Sequence, residues 1–295
     1  MLFDHIAIVG VGMIGGSFAL AARRAGLAGR ITGWDGGRSL DKALSSGVID
    51  AAEESFESGA VCGADLIYLA APIGAIIDFL TSCTGSIKPG AIVTDAGSTK
   101  QEICEAARKA LPDDIGFVGG HPMAGSQKSG LDSADADLFR GAAYAVVIPD
   151  ERARSEPGPA EAVIEMIKAF GGRPLLLTAE QHDRAAARVS HAPQLVATAL
   201  SMALLKTRGG DQMLDLAGPG LADMTRLAES KWSIWEDICR SNSEEIAEAL
   251  ADVVRELEIT RLRVDSGDFR ALGEAFKSAG DLVERIRRAK TNGGS

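Results

Sequence analysis

Residues 6–15, Ile6-Ala7-Ile8-Val9-Gly10-Val11-Gly12-Met13-Ile14-Gly15, decide how this chain folds. Four continuous apolar residues fit a strand buried on both faces. Gly10-x-Gly12-x-x-Gly15 then fits a turn into a helix. Gly10 allows the tight turn, Gly12 lets a pyrophosphate approach the backbone, and Gly15 lets helix and strand pack closely. The helix predicted over 14–25, closed by Gly26, would offer phosphates its positive dipole end and its first N–H groups, around Met13 and Ile14. The glycine spacing alone is a weak signal. Asp35 strengthens it, lying twenty residues beyond Gly15 at the end of a second predicted strand over 30–35, where an acid accepts both ribose hydroxyls. A carboxylate there repels a 2′-phosphate, which favours NAD over NADP, although Arg38 nearby works in the other direction.

Outward from this unit the pattern repeats. Strands are predicted over 66–70, 91–94, 116–118, 143–148 and 173–178. Helices are predicted between them over 40–46, 76–83, 100–110 and 160–170, and residues 151–159 read as an exposed loop. Such alternation implies a mostly parallel sheet covered on both faces, with ligands bound beyond the carboxyl ends of its strands. Ala71 and Pro72, just past the 66–70 strand, join the cofactor-binding set on that ground.

After Thr178 the β-branched clusters disappear and helical periodicity takes over. A long helix is predicted over 180–205, tolerating Pro193 or kinking there, then helices over 221–229 and 232–239. A hairpin of helices over 244–264 and 269–288 follows, around Asp265-Ser266-Gly267-Asp268. The expected fold is therefore α/β plus all-α. An N-terminal Rossmann-type domain with a mostly parallel sheet occupies 1–178, and a helical dimerisation domain occupies 179–295. Helices this rich in Ala and Leu are expected to bury one face against a twin, giving a homodimer.

Composition narrows the partners. The 295 residues carry 31 Lys and Arg against 41 Asp and Glu, a net charge of −10, so an extended nucleic-acid or anionic-membrane partner would be repelled. A small anionic substrate in a local basic pocket is still compatible. No apolar run approaches a membrane span, and Met1 to His5 runs into a strand without a basic leader, so a cytoplasmic protein is expected. Cys62, Cys83, Cys104 and Cys239 are scattered without a C-x-x-C pair, which argues for reduced packing residues and against a metal site. Only four histidines exist, so each is a candidate for chemistry.

Two polar clusters follow predicted strands: Asp95-Ala96-Gly97-Ser98-Thr99-Lys100, and Gly119-Gly120-His121-Pro122-Met123-Ala124-Gly125-Ser126. His121, between a glycine pair and a proline, is well placed to reach a cleft as a general base. Ser98 serves either that cleft or the N-cap of the next helix.

These clusters resemble the prephenate/arogenate (cyclohexadienyl) dehydrogenases. The likeness lies in Gly97-Ser98-x-Lys100, the run from His121 to Gly130, His182-Asp183, Ser190-His191-x-Pro193, and Asp223-x-Thr225-Arg226-x-Ala228, then Trp235 and Asn242. It runs from about Ile6 to Ile286. It implies NAD-dependent oxidative decarboxylation of prephenate to 4-hydroxyphenylpyruvate, or of arogenate to tyrosine. His121 would take the ring-hydroxyl proton and Ser98 would hydrogen-bond the same hydroxyl. Arg226 would bind a substrate carboxylate, with Ser126, Gln127, His191 and Gln194 on the rest of the substrate, so that the helical domain also binds substrate. From the residues alone, Arg226 also suits an ion pair with Asp223 or Glu229, and His191 also suits helix packing. His182 with Asp183 reads as structural or supporting. Gln127, Gln194 and Ala222 depart from the family pattern, where an acid, a histidine and a basic residue are frequent. Two other readings are a β-hydroxyacid dehydrogenase and a non-catalytic NAD-binding sensor. The first wants a Lys with an Asn four residues on, which the helix from residue 180 lacks; the second leaves His121 and Arg226 without a use.

Overall fold

The computed structural model describes residues 1–35, 39–53, 63–82, 85, 87–125, 129–148, 158–207 and 214–291. In chain order its strands are β1 Phe3–Val9, β2 Ala28–Trp34, β3 Ala51–Glu53, β4 Leu66–Leu69, β5 Ile92–Asp95, β6 Gly116–Pro122, β7 Ala143–Val147 and β8 Arg173–Leu177. They form one sheet in the order β3-β2-β1-β4-β5-β6-β7-β8. Every neighbouring pair is parallel except β6 with β7. The first six strands thus follow the order of a doubly wound nucleotide-binding sheet. Between strands run α1 Met13–Arg24, α2 Ser39–Ser45, α3 Ile73–Ser82, α4 Gln101–Ala110 and α5 Pro159–Ala169.

The apolar runs explain the centre of this sheet. All four residues of β4 are buried, as a strand flanked by β1 and β5 and covered on both faces requires. Phe18 of α1 stacks on Tyr68 of β4 with ring centroids 3.7 Å apart. The Tyr68 hydroxyl meets that of Tyr144 on β7 at 3.1 Å, so two buried phenols satisfy each other and their rings fill the core without an orphaned polar atom.

Two strands differ from expectation. The short β3 has no β-branched residue; it forms because Thr32 to Trp34 of β2 present an unpaired edge. β6 was expected to end at Val118, where its ladder with β5 does end, at Thr94. It continues to Pro122 because β7 pairs with it antiparallel, from Gly119 with Val147 to Pro122 with Tyr144. His121 therefore stands on a strand, not in the loop beyond it.

The chain divides into two compact units. Residues 1–186 form one together with 230–241, and residues 187–229 with 242–295 form the other. The expected boundary at 178 thus differs from this division by a helical turn or two, and by one inserted helix. α6 Ala179–Ala186 belongs to the first unit, and a wide turn of π type over Ala187–His191 leads into α7 Ala192–Leu205. Pro193 cannot donate to the helix and its ring crowds the carbonyl four residues back, so the preceding turn widens. Of the two outcomes expected at Pro193, tolerance or a kink, the helix takes the second in this form.

In the second unit, α8 Pro219–Thr225 runs into a tight turn over Arg226–Glu229. After α9 Trp232–Ser241, which belongs to the first unit, come α10 Ser243–Ser266 and α11 Phe269–Thr291. Gly267 ends α10 with φ +71°, and Asp268 N–H returns to the Arg263 carbonyl at 3.0 Å, the left-handed cap a glycine supplies. Val254, Leu257, Leu262, Phe269, Phe276 and Leu282 on this hairpin are each more than half exposed. Among the described residues no helix is long and apolar enough to cross a membrane. Cys104 is buried and Cys239 partly so, both as free thiols. Cys62, Cys83, Arg38 and most of the expected 151–159 loop lie outside the described residues.

Candidate active site

The glycine turn has the contacts its spacing implied. Gly10 adopts φ +92°, and a Cβ there would lie 2.4 Å from the Ala70 carbonyl oxygen at the end of β4. A Cβ on Gly15 would lie 1.9 Å from the Gly10 carbonyl oxygen, so α1 meets the turn backbone to backbone. Gly12 is different: nothing lies within 4 Å of the Cβ it lacks. That open side is the start of α1, where Gly12 is the N-cap, no side chain caps, and the first turn carries no acid. A helix start without a side-chain cap is a ready anion site, and Met13 and Ile14 open that first turn. Asp35 follows β2 and accepts the Val11 N–H at 3.0 Å through Oδ2, which ties the acid to the turn itself. Its other oxygen takes no partner among the described residues. The arrangement fits a dinucleotide.

Ala71 and Pro72 lie between β4 and α3. The start of α3 is capped from a distance: Gly74 N–H donates to Asp237 of α9 at 3.1 Å. Ser241, at the end of α9, meets the Thr99 hydroxyl at 2.8 Å. These two bonds explain why α9 belongs to the first unit.

At the carboxyl ends of β5 and β6 the ladder gives way to side chains. Asp95 accepts Gly97 N–H at 2.8 Å and Gly120 N–H at 3.0 Å. Lys100 Nζ pairs with Asp95 and donates to the Gly120 carbonyl at 2.7 Å, with both side chains fully buried. A Cβ at Gly120 would lie 2.4 Å from the Asp95 carbonyl oxygen, so the pair grips both backbone groups of a residue that has to be glycine. His121 follows immediately.

The His121 ring is half-buried, and its Nδ1 lies 2.8 Å from Nε2 of His182 on α6. Nδ1 of His182 lies 2.7 Å from Asp183 Oδ1. Asp183 also accepts Lys100 N–H at 2.7 Å and Gln101 N–H at 2.9 Å, and so caps α4 from 83 residues away. Burial pushes the Asp183 carboxyl up, but the hydrogen bonds from His182, Gln101 and Lys100 outweigh it and hold the group below the usual carboxylate value. Because Asp183 caps α4, Ser98 is not its N-cap. Ser98 is partly exposed, and its hydroxyl takes no partner among the described residues. The pairing of His121 with His182, and the burial of Lys100 on Asp95, were not anticipated. An adjacent His-Asp pair was the one local signal.

In the second unit His191 is buried, and Asn242 Nδ2 donates to its Nδ1 at 3.2 Å. Gln194 is nearly buried, and its amide donates to the Leu227 carbonyl at 2.7 Å, fixing the turn that begins at the exposed Arg226. Ser126 and Gln127 lie outside the described residues.

A doubly wound sheet with an open anion site at its first turn, an acid just past the second strand and a held histidine at its carboxyl edge defines a Rossmann-type oxidoreductase. Two family descriptions match the chain: "Prephenate dehydrogenase, nucleotide-binding domain" over residues 18–176, and "Prephenate dehydrogenase, dimerization domain" over 178–278. The chain belongs to the prephenate dehydrogenase family. A prephenate dehydrogenase of Bacillus subtilis (strain 168) is 34% identical over 289 residues, covering 96% of this chain and 76% of the relative. The prephenate dehydrogenase of A. aeolicus, solved with hydroxyphenyl propionate and NAD+, superposes with a TM-score of 0.87 at 28% identity, over 96% of this chain and 98% of that one. Synechocystis arogenate dehydrogenase gives 0.82 at 27%, over 96% and 99%. The first family match begins at Phe18, so the glycine turn rests on its own geometry. The β-hydroxyacid dehydrogenase and sensor readings lose their ground.

Proposed function

We propose that the chain oxidises and decarboxylates prephenate to 4-hydroxyphenylpyruvate with NAD, accepts arogenate as a second substrate, and works as a cytoplasmic homodimer in tyrosine biosynthesis. The observation that carries this reading is His121, half-buried at the carboxyl end of β6 with one ring nitrogen already held. The A. aeolicus complex with hydroxyphenyl propionate and NAD+ supports the ligand classes. Gly10, Gly12 and Gly15 with Met13 and Ile14 would hold the pyrophosphate, Asp35 a ribose, and Ala71 and Pro72 the stretch toward the nicotinamide. NAD supplies a hydride acceptor.

His121 takes the proton of the ring C4 hydroxyl as the hydride leaves that carbon, a task suited to a neutral imidazole. Ser98, whose hydroxyl takes no partner among the described residues, hydrogen-bonds the same oxygen and sets its direction. Loss of CO2 leaves a bonding pair in the ring, which becomes aromatic, so the drive belongs to the substrate and the protein's share is positioning. The oxygen that lost a proton regains one as a phenol, so His121 ends the cycle as it began.

Arg226 binds a substrate carboxylate through its guanidinium fork, with His191, Gln194, Ser126 and Gln127 on the remainder of the substrate. A charged hydrogen bond is worth about 1.5–3 kcal/mol, so Arg226→Ala is expected to raise KM for prephenate roughly 10–100-fold with a smaller change in kcat. Initial rates over a range of prephenate concentrations check it. The exposed Val254, Leu257, Phe269 and Phe276 support the dimer, since a twin's matching face would bury them.

The deciding experiment mixes the protein with NAD and prephenate, then with NAD and arogenate, and follows NADH absorbance. No NADH with either substrate overturns the proposed activity. A kcat/KM strongly favouring arogenate overturns the ranking of the two.

A further inference from the structure

Asp183 settles where the protons sit on two histidines. Its carboxylate is fully buried and accepts two backbone N–H groups at the positive end of α4. That environment keeps it ionised, and an ionised carboxylate only accepts hydrogen bonds. The contact at 2.7 Å is therefore a donation from His182 Nδ1–H. A neutral His182 carries one ring proton, so its Nε2 is a bare acceptor. The contact at 2.8 Å is then a donation from His121 Nδ1–H into that nitrogen. It follows that Nε2 of neutral His121 carries no proton and so keeps the lone pair a general base needs.

We propose that His182 and Asp183 are positioning residues that lock His121 in its Nδ1–H tautomer and stabilise the imidazolium formed when it takes the substrate proton. The proposal rests on the reading of His121 as the base. It gives the His182-Asp183 pair a use beyond support: a buried negative charge reaches the reacting nitrogen through two rings. The opposite tautomer would place a proton on His121 Nε2, where it blocks proton abstraction. Among the described residues, three further ionisable side chains and one thiol lie around this chain. Asp95 and Lys100 form a buried pair, and Cys104 is pushed by burial up to about 12, a neutral thiol, so neither offers His121 a competing carboxylate. Glu180 also faces this cluster.

The test has two arms. In the unaltered protein, with only His5, His121, His182 and His191 to assign, ring-nitrogen NMR near neutral pH reads the protonated nitrogen of each histidine. The expected result is Nδ1–H on both His121 and His182; Nε2–H on His121 overturns the proposal. In the second arm, His182→Phe keeps a ring in place and removes the relay. The expected result is a kcat lower by about 10²-fold or more, with KM for prephenate and affinity for NAD little changed. The acid limb of the kcat–pH profile should also move to lower pH, because the imidazolium has lost its link to the carboxylate. A merely structural role would not move that limb. His182→Phe with unchanged kcat and profile, alongside an inactive His121→Asn, overturns the relay and leaves the base assignment standing. An active His121→Asn overturns the base assignment itself.

Discussion

Replacing His121 with asparagine is expected to lower kcat for prephenate oxidation by about 10²–10⁴-fold, the usual worth of a general base. The substitution isolates the chemistry because the contacts the ring makes with His182 tolerate an amide. His121 is only half-buried, so no large cavity forms. An asparagine amide in its place can still donate to His182 Nε2, which keeps the buried chain of hydrogen bonds satisfied. The strand register is carried by Gly120, which Asp95 and Lys100 hold from both sides, and by the backbone pairing of residue 121 with Ala145. The unfolding midpoint, affinity for NAD and KM for prephenate are therefore expected to stay close to those of the unaltered protein. Steady-state rates from NADH absorbance, with NAD affinity measured separately by calorimetry, make the distinction. A fall in kcat of less than about tenfold would move the base to another group. A large rise in KM without a fall in kcat would make His121 a binding residue instead.

The features legible in the sequence are those set by neighbours a few residues apart. Gly10, Gly12 and Gly15 were readable because a tight turn, an open approach and a close helix contact each exclude side chains locally, and the structure has all three. Asp35 was readable from its distance along the chain, but its bond to the Val11 N–H was not. The features hidden from the sequence arise where one segment meets another far away. Whether β6 ends at Val118 or runs on to Pro122 depends on β7, whose antiparallel pairing nothing within residues 116–122 announces. Ser98 had two equally good local uses. The choice between them was made by Asp183, which caps α4 from a helix far along the chain. Likewise α9 reads as one more helix of the second half, and it joins the sheet unit because Asp237 and Ser241 find Gly74 and Thr99. Lys100 was legible only as the start of the helix predicted over 100–110 and as part of the polar cluster after the fourth predicted strand. Its burial follows from the charge of Asp95 and the bare carbonyl of Gly120.

That burial implies a large stability effect. Lys100→Met keeps the length of the side chain and removes its charge. Asp95 then stays fully buried with two backbone donors but no cation, and the Gly120 carbonyl loses its donor. Breaking a buried ion pair from one side costs about 3–5 kcal/mol, a large part of the roughly 5–15 kcal/mol that keeps an ordinary domain folded. Because the chain has two units, a single global transition is not assured, and the probe has to report on the right one. Tryptophan fluorescence does so, since Trp34, Trp232 and Trp235 all fall in the first unit. Urea unfolding followed by tryptophan emission is therefore expected to show a much lower midpoint for Lys100→Met. Adding Asp95→Asn should recover part of the loss, because the amide oxygen can still accept a backbone N–H and no charge is left stranded. Such a recovery is a coupling between the two sites, the signature of an interacting pair. If Lys100→Met lost less than about 1 kcal/mol, the value of an exposed pair, the lysine would contribute no more than a surface charge. If the double variant were no more stable than the single, the cost would lie in the lost Gly120 contact and not in the unpaired carboxylate. Either outcome also bears on catalysis, since the same two side chains hold the backbone from which His121 projects.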